Sequence, residues 1–145
     1  MSYWSWGPSL SIGIDVIDGQ HRRIVDYLNE LDVAHLENDR EKVSQVLAGL
    51  VDYTITHFAF EENLMKQAGY PISDSHIEVH KSFVTRINRY VAKHESGKDI
   101  TRKLMSDLQI WLMHHIRNDD KDFAPYVIKH IKRGWVKRII SRFFG

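Results

Sequence analysis

The sequence predicts an all-α protein, an antiparallel up-down-up-down four-helix bundle with an N-terminal arm and a short C-terminal amphipathic helix. Three observations carry this. Four long stretches place apolar residues three and four apart, the spacing that gathers them on one side of a helix. Breaks of only a few residues, rich in Asn, Asp, Ser, Gly and Pro, separate these stretches, and short links make neighbouring helices antiparallel. No alternating apolar and polar run competes as a strand, and there is no internal repeat.

Residues 1–18 hold Trp4, Trp6, Gly7, Pro8 and Gly13 without helical periodicity. They read as an arm whose aromatic rings pack it onto the body. The first helix is expected over residues 19–36, with Ile24, Leu28 and Leu31 on one face. Asn38, Asp39 and Arg40 form a polar link. The second helix is expected over residues 40–67, on the stripe Val43, Val46, Leu47, Leu50, Val51, Ile55, Phe58 and Met65. Gly69, Tyr70 and Pro71 end it, as Gly and Pro just past a helix should.

The third helix is expected over residues 73–95, apolar at Ile77, Phe83, Val84, Ile87 and Val91, and it leaves through Ser96, Gly97 and Lys98. The fourth begins at residue 101 and carries Leu104, Leu108, Trp111, Leu112 and Ile116. Asn118 and Pro125 weaken the helical pattern beyond that point, because a proline inside a helix removes a hydrogen bond and crowds the preceding turn.

With 145 residues, 43% of them hydrophobic, the chain can bury one sizeable core. The expected division is a bundle over residues 1–131 and a basic amphipathic helix over 132–145, packed on or beside it. The chain contains no cysteine, which excludes disulfides, thiolate metal sites, iron–sulfur clusters and thiol nucleophiles together. Any metal is therefore held by nitrogen and oxygen. The opening residues show neither a basic leader nor a continuous apolar stretch, so no signal peptide or membrane span is read and a reducing cytoplasm is expected.

Nine histidines are several times the usual share, and their placement matters more than their number. His57 and Glu61 are four apart on the second helix, and His76 and His80 are four apart on the third. That spacing points both members of a pair toward one spot in the core. His21 lies early on the first helix, while His115 and Asp120 lie on or just past the fourth. His114 neighbours His115 and so points about 100° away. The apolar rows turn His115 inward, and His35, His94, His114 and His130 fall outside this layer.

Five imidazoles and two carboxylates are too many for one tetrahedral zinc. Two ions that share both carboxylates use them all. Imidazole with carboxylate suits first-row metals, and iron among these adds reversible redox chemistry with dioxygen. Two ferrous ions are nearly neutralised by two carboxylates and a bridging hydroxide, so little net charge is buried.

At these residues the chain resembles the hemerythrins, in particular their single-domain bacterial members. The matching pieces are the W-S-W at Trp4 to Trp6, the D-x-x-H ending at His21, the H-F-x-x-E from His57 to Glu61, the H-x-x-x-H from His76 to His80, and the W-L-x-x-H-I-x-x-x-D from Trp111 to Asp120. The resemblance implies that His76, His80 and His115 hold one iron and that His21 and His57 hold the other. Glu61 and Asp120 would bridge both, with an oxo or hydroxo group as third bridge. It further implies that dioxygen binds end-on, as hydroperoxide, to the five-coordinate iron on the His21 and His57 side. Phe58, Leu112 and Ile116 are the candidate walls of an apolar oxygen pocket, and Trp111 is read as packing beside it.

An oxygen carrier, store or local supplier is thus the expected function. An oxygen or redox sensor, a di-iron enzyme acting on peroxide or nitric oxide, and an iron store compete with it. A nitrogen-rich ligand set differs from the carboxylate-rich sites of oxygen-activating bundles and favours binding over catalysis.

The C-terminus stands apart. Residues 129–145 contain six Lys or Arg and no acid, which leaves residues 1–128 with 14 bases against 19 acids, a formal −5. Here Ile128, Ile131, Trp135, Ile139, Ile140, Phe143 and Phe144 interleave with Lys129, Lys132, Arg133, Lys137, Arg138 and Arg142. The apolar side can dock on the bundle. Lys132, Arg133, Trp135, Lys137, Arg138 and Arg142 can instead meet an anionic membrane surface, or a membrane-bound oxygen-consuming protein. No nucleic-acid partner is expected, since the body is acidic, and the chain is expected to be a monomer.

Overall fold

The structure, a computed structural model, describes residues 2–131 and 133–144, without the side chain of Arg133. The candidate contact Lys132 and the Arg133 side chain lie outside the described residues. Four antiparallel helical arms surround the core. Helix α1 spans Asp15–Leu36, α2 spans Arg40–Ala68, α3 spans Ser73–Glu95 and α4 spans Thr101–His115. A π-helical turn, Ile116–Asp120, joins α4 to α5 at Lys121–His130, and α6 covers Arg133–Phe144. Helix α1 packs between α2 and α4, and α3 closes the ring between α2 and α4.

Helix α1 starts four residues before the expected position. Asp15 and Asp18 occupy its first turn, where carboxylates favour the positive helix end, and Ile17 extends the buried stripe backward. Asp18 also holds the arm, accepting from Ser11 Oγ at 2.8 Å and from the Ile12 backbone N–H at 2.9 Å. Further up, Asn29 exchanges two 2.8 Å hydrogen bonds with the Trp4 backbone, which seats the Trp4 ring in the core.

Helix α2 is capped by Asp39, whose carboxylate accepts from the Lys42 N–H at 3.0 Å. It ends in a Schellman closure. Gly69 takes φ 67°, and Tyr70 N–H returns to Met65 O at 2.9 Å. Gly97, with φ 96°, ends α3 in the same way through Lys98 N–H to Lys93 O at 3.1 Å. Both loops need a left-handed residue, and glycine adopts that conformation without a Cβ penalty.

Two expectations need correction. Ile55 is 44% exposed and belongs to the rim between α2 and α3, while Phe60 and Leu64, absent from the expected stripe, are fully buried. The cause is that α2 touches α1, α3, α5 and α6, so more than one of its faces is covered. Helical structure also continues past Asn118 and Pro125. Burial of Phe123, Ala124 and Val127 around the proline outweighs the lost hydrogen bond, since a large apolar side chain contributes about 1.5–3 kcal/mol when buried.

Helix α6 lies on α2. Phe144 sits 5.7 Å from both Tyr53 and Phe60, Phe143 sits 6.4 Å from Phe60, and Ile139 is buried. Among the described residues no helix is long and apolar enough to cross a membrane.

Candidate metal centre

Seven polar side chains converge in the core between α1, α2, α3 and the α4–α5 junction. They are His21 from α1, His57 and Glu61 from α2, His76 and His80 from α3, His115 at the end of α4 and Asp120 at the end of the π-turn. None is more than 5% exposed. The i, i+4 pairs point as helical geometry demands. His115 and Asp120 are five apart, however, and in an α-helix they would diverge by about 140°. The π-winding between them, marked by Lys121 N–H reaching back to Ile116 O, brings them into line.

The two carboxylates divide the cluster. Glu61 Oε1 faces His80 Nε2 at 3.1 Å and the Nε2 atoms of His76 and His115 at 3.9 Å. Its other oxygen, Oε2, faces His57 at 3.5 Å and His21 at 3.6 Å. Asp120 repeats the pattern. Its Oδ1 lies 3.2 Å from both His76 and His115, and its Oδ2 lies 3.1 Å from His21. One subsite therefore gathers three imidazoles and the other two, with a carboxylate oxygen from Glu61 and from Asp120 directed to each side.

The donor chemistry fits metal. Both oxygens of Glu61, both of Asp120, and Nε2 of His21, His57 and His76 are buried without a hydrogen-bond partner in the protein. Such atoms are costly to bury unless a cation meets them. His80 Nε2 and His115 Nε2 stand 3.0 Å apart, a spacing that two ligands of one ion adopt readily. The sets Glu61, His76, His80, His115, Asp120 and His21, His57, Glu61 each bring their ligand atoms within 4.8 Å of one another.

Without bound metal, burial is the largest influence on His21, His57, Glu61, His76, His115 and Asp120 and opposes the charge of each. It wins at His57, whose imidazole is pushed down to about 3. At His21 and His76 burial is outweighed by Asp120 and Glu61, which hold both imidazoles up at about 9. Burial likewise fails at His115, raised by Asp120 and Asp119, and at the two carboxylates. Glu61 is drawn well below the usual range by the charge of His57 and of the other imidazoles facing it, and Asp120 is drawn down by His115 and His21. The cluster thus keeps its carboxylates ionised, and protons on His21, His76 and His115 balance them where metal ions would otherwise do so.

Outside the cluster, two partners orient the rings. Gln20 Oε1 accepts from His57 Nδ1 at 2.6 Å, and Asp119 Oδ2 accepts from His115 Nδ1 at 2.8 Å. Each bond fixes the tautomer that turns the Nε2 lone pair inward. Glu62 stands 3.5 Å from His80 Nδ1. Sequence reasoning did not single out these three residues. Their only signals are adjacency to His21 and Glu61 and, for Asp119, its position one turn after His115.

Aromatic rings wall the three-histidine side. Phe58 stacks on His80 at 3.9 Å and 8°, and its ring lies 5.8 Å from His57 and 6.2 Å from His115. Trp111 stacks on His115 at 4.6 Å, and Phe83 stacks on Trp111 at 3.8 Å. Leu112, one turn before His115, and Ile116, directly after it, are buried. The other histidines stay away from the cluster. His94 pairs with Ser44 Oγ at 2.7 Å, His114 lies 3.2 Å from the Asn118 amide, His35 is 3.9 Å from Asp99, and His130 packs on Tyr126. Trp135, Lys137, Arg138 and Arg142 are exposed on α6.

Comparison with known proteins agrees with this arrangement. Residues 12–127 match the Hemerythrin HHE cation binding domain family. The chain is 44% identical to a bacteriohemerythrin of Stenotrophomonas maltophilia (strain R551-3) and 39% identical to one of Pseudomonas aeruginosa (strain LESB58), in each case over 100% of both chains. A solved structure of wild-type hemerythrin superposes with a TM-score of 0.82 at 25% identity, covering 87% of this chain and 98% of that one.

Proposed function

The chain belongs to the hemerythrin family, and from that premise we propose that it binds dioxygen reversibly at a di-iron centre, as an oxygen carrier, store or local supplier and not as an enzyme. Hemerythrins bind a pair of irons, and the buried His, Glu and Asp cluster suits such a pair. In this reading His76, His80 and His115 would hold one iron and His21 and His57 the other, with Glu61 and Asp120 shared between them. The observation that carries it is the division of each carboxylate between the two histidine groups.

When bound, an iron pair would supply reversible two-electron exchange with dioxygen, on the side that His21 and His57 would hold. The protein's own residues keep the exchange reversible. Phe58, Leu112 and Ile116 exclude the water and protons that would drive permanent oxidation, and Gln20 and Asp119 hold ligand rings in place. Five imidazoles against two carboxylates stabilise high-valent iron less than a carboxylate-rich site does, which favours binding over oxygen activation.

Residues 1–131 form the oxygen-binding unit of this proposal and residues 132–145 an attached basic helix. The reading is of a monomer in the cytoplasm, associated peripherally with an anionic membrane surface or a membrane-bound oxygen-consuming protein, and without a nucleic-acid partner. The test is a visible spectrum of the anaerobically reduced protein before air, after air and after argon purging, with iron counted per chain. Two irons per chain and a charge-transfer band that appears in air and disappears on purging are expected. Irreversible oxidation on first exposure to air would rule out carriage and move the reading to sensing or catalysis.

A further inference from the structure

We propose that the elbow between α5 and α6 is a docking surface for an anionic phospholipid bilayer, seating acyl chains against Ile128 and Trp135 and phosphates on Lys137, Arg138 and Arg142. The inference rests on the reading that the basic helix meets an anionic surface, and it says which part of the helix does so.

The apolar face of α6 is already occupied. Ile139 is buried, and Phe143 and Phe144 pack on Phe60 and Tyr53 of α2. The helix therefore does not turn that face to a membrane while it stays folded on the bundle. What remains outward is its cationic ridge and two large apolar side chains. Trp135 is 46% exposed and Ile128 is 59% exposed, two of the eight large apolar side chains left in solvent among the described residues.

Their surroundings favour a bilayer over a purely acidic protein. Trp135, Arg138 and Arg142 follow the i, i+3, i+7 spacing and share one flank of α6, with the Arg138 guanidinium 5.5 Å from the Trp135 ring centre. On the other flank a groove of about 610 Å³ runs between the start of α1 and the elbow. Ile14, Val16, Ile128, Ile131 and Val136 line it, with Lys137 at its edge and Asp15 as its one acid. Apolar side chains beside several cations, with no acid on α6 itself, are what an interfacial segment presents, since the bilayer offers a headgroup charge and an acyl layer at once. The acidic bulk of the chain, formally −5 over residues 1–128, is repelled by the same surface and so orients the elbow toward it.

The test uses the full, iron-loaded chain with vesicles of phosphatidylcholine alone or mixed with phosphatidylglycerol. Binding is expected only to the mixed vesicles, and it should weaken as salt rises. Neutralising Lys137 and Arg138 as K137Q and R138Q should weaken it roughly fivefold per charge removed. Ile128→Asp, at an exposed position, should weaken it further while leaving the fold intact. Brominated acyl chains should quench fluorescence in the native chain, and this quenching should be lost in Trp135→Phe. Equal binding to neutral vesicles, or none to either, overturns both this inference and the membrane reading of the basic helix. Tight binding to mixed vesicles that I128D and the glutamine variants leave unchanged, or without Trp135 quenching, overturns the elbow alone. An Ile128-dependent dimer in sedimentation would assign the surface to a second copy and overturn the proposal. None of these outcomes depends on oxygen binding.

Discussion

His115 and Asp120 direct Nε2 and Oδ1 to within 3.2 Å of each other across a single π-helical turn. A π-turn amounts to one extra residue in an α-helix. Deleting Asn118, an exposed residue in that turn, should therefore let the segment relax to an α-helix with Asp120 still facing the cluster. Inserting an alanine after Asn118 should swing Asp120 about 100° away. Iron counts per chain near two for the deletion and at most one for the insertion are expected. The reverse order would show that the winding does not set the position of Asp120.

The orienting bonds should matter for metal retention and little for the fold. Gln20→Leu removes the acceptor 2.6 Å from His57 Nδ1, and Asp119→Leu removes the one 2.8 Å from His115 Nδ1. Each variant should lose iron to a competing chelator with an affinity drop of about 10- to 100-fold. Asp119→Asn, which keeps an oxygen acceptor, should recover much of the loss. Unaltered chelator titrations in both leucine variants would remove these residues from the site.

Phe58 and Leu112 are 2% and 1% exposed, so truncating either leaves a cavity beside the ligands. Leu112→Ala should cost about 2–5 kcal/mol of stability and Phe58→Ala about 3–5 kcal/mol. Both should speed oxidation of the oxygenated protein to the ferric state, followed as decay of the visible band in air. Phe58→Leu keeps the cavity filled and separates the two effects. If oxidation rates stay unchanged where stability falls, these residues are core packing alone.

Metal affinity should rise with pH. Asp120 and Glu61 hold His21 and His76 up at about 9, so below that pH each carries a proton that a metal ion must displace. Every proton displaced steepens the dependence by about tenfold in affinity per pH unit. His57, pushed down to about 3 by burial, adds none above that value. The sign is opposite for the metal-free fold. Its raised imidazoles stabilise it fully below their ordinary 6.5, and that contribution is lost as pH rises through about 9. Competition titrations with a chelator of known proton affinity between pH 6 and 9 measure the first effect, and thermal melts of metal-free protein over the same range measure the second.

Much of the architecture was legible along the chain because its signals are local. The 3.6-residue periodicity and the glycine and proline stops placed α3 at Ser73–Glu95, and the second helix within one residue of its end at Ala68. The i, i+4 pairs His57 with Glu61 and His76 with His80 announced a convergent polar layer for the same reason, since one helical turn fixes which side chains share a face. Where local signals conflicted, the reading stopped short. Pro125 argued against a helix that the core burial of Phe123 and Val127 sustains.

Sequence by itself determined that this is an all-helical chain with a buried nitrogen- and carboxylate-rich cluster, because helix periodicity and residue chemistry are written in neighbouring positions. Only the tertiary structure decided three further matters. It fixed which oxygen of Glu61 and of Asp120 faces which group of histidines, it wound a π-turn to align Asp120 with His115, and among the partners open to the apolar face of α6 it chose Phe60 and Tyr53. Each depends on which surfaces meet across helices far apart in the chain, and packing between distant segments, which no local spacing encodes, makes that choice.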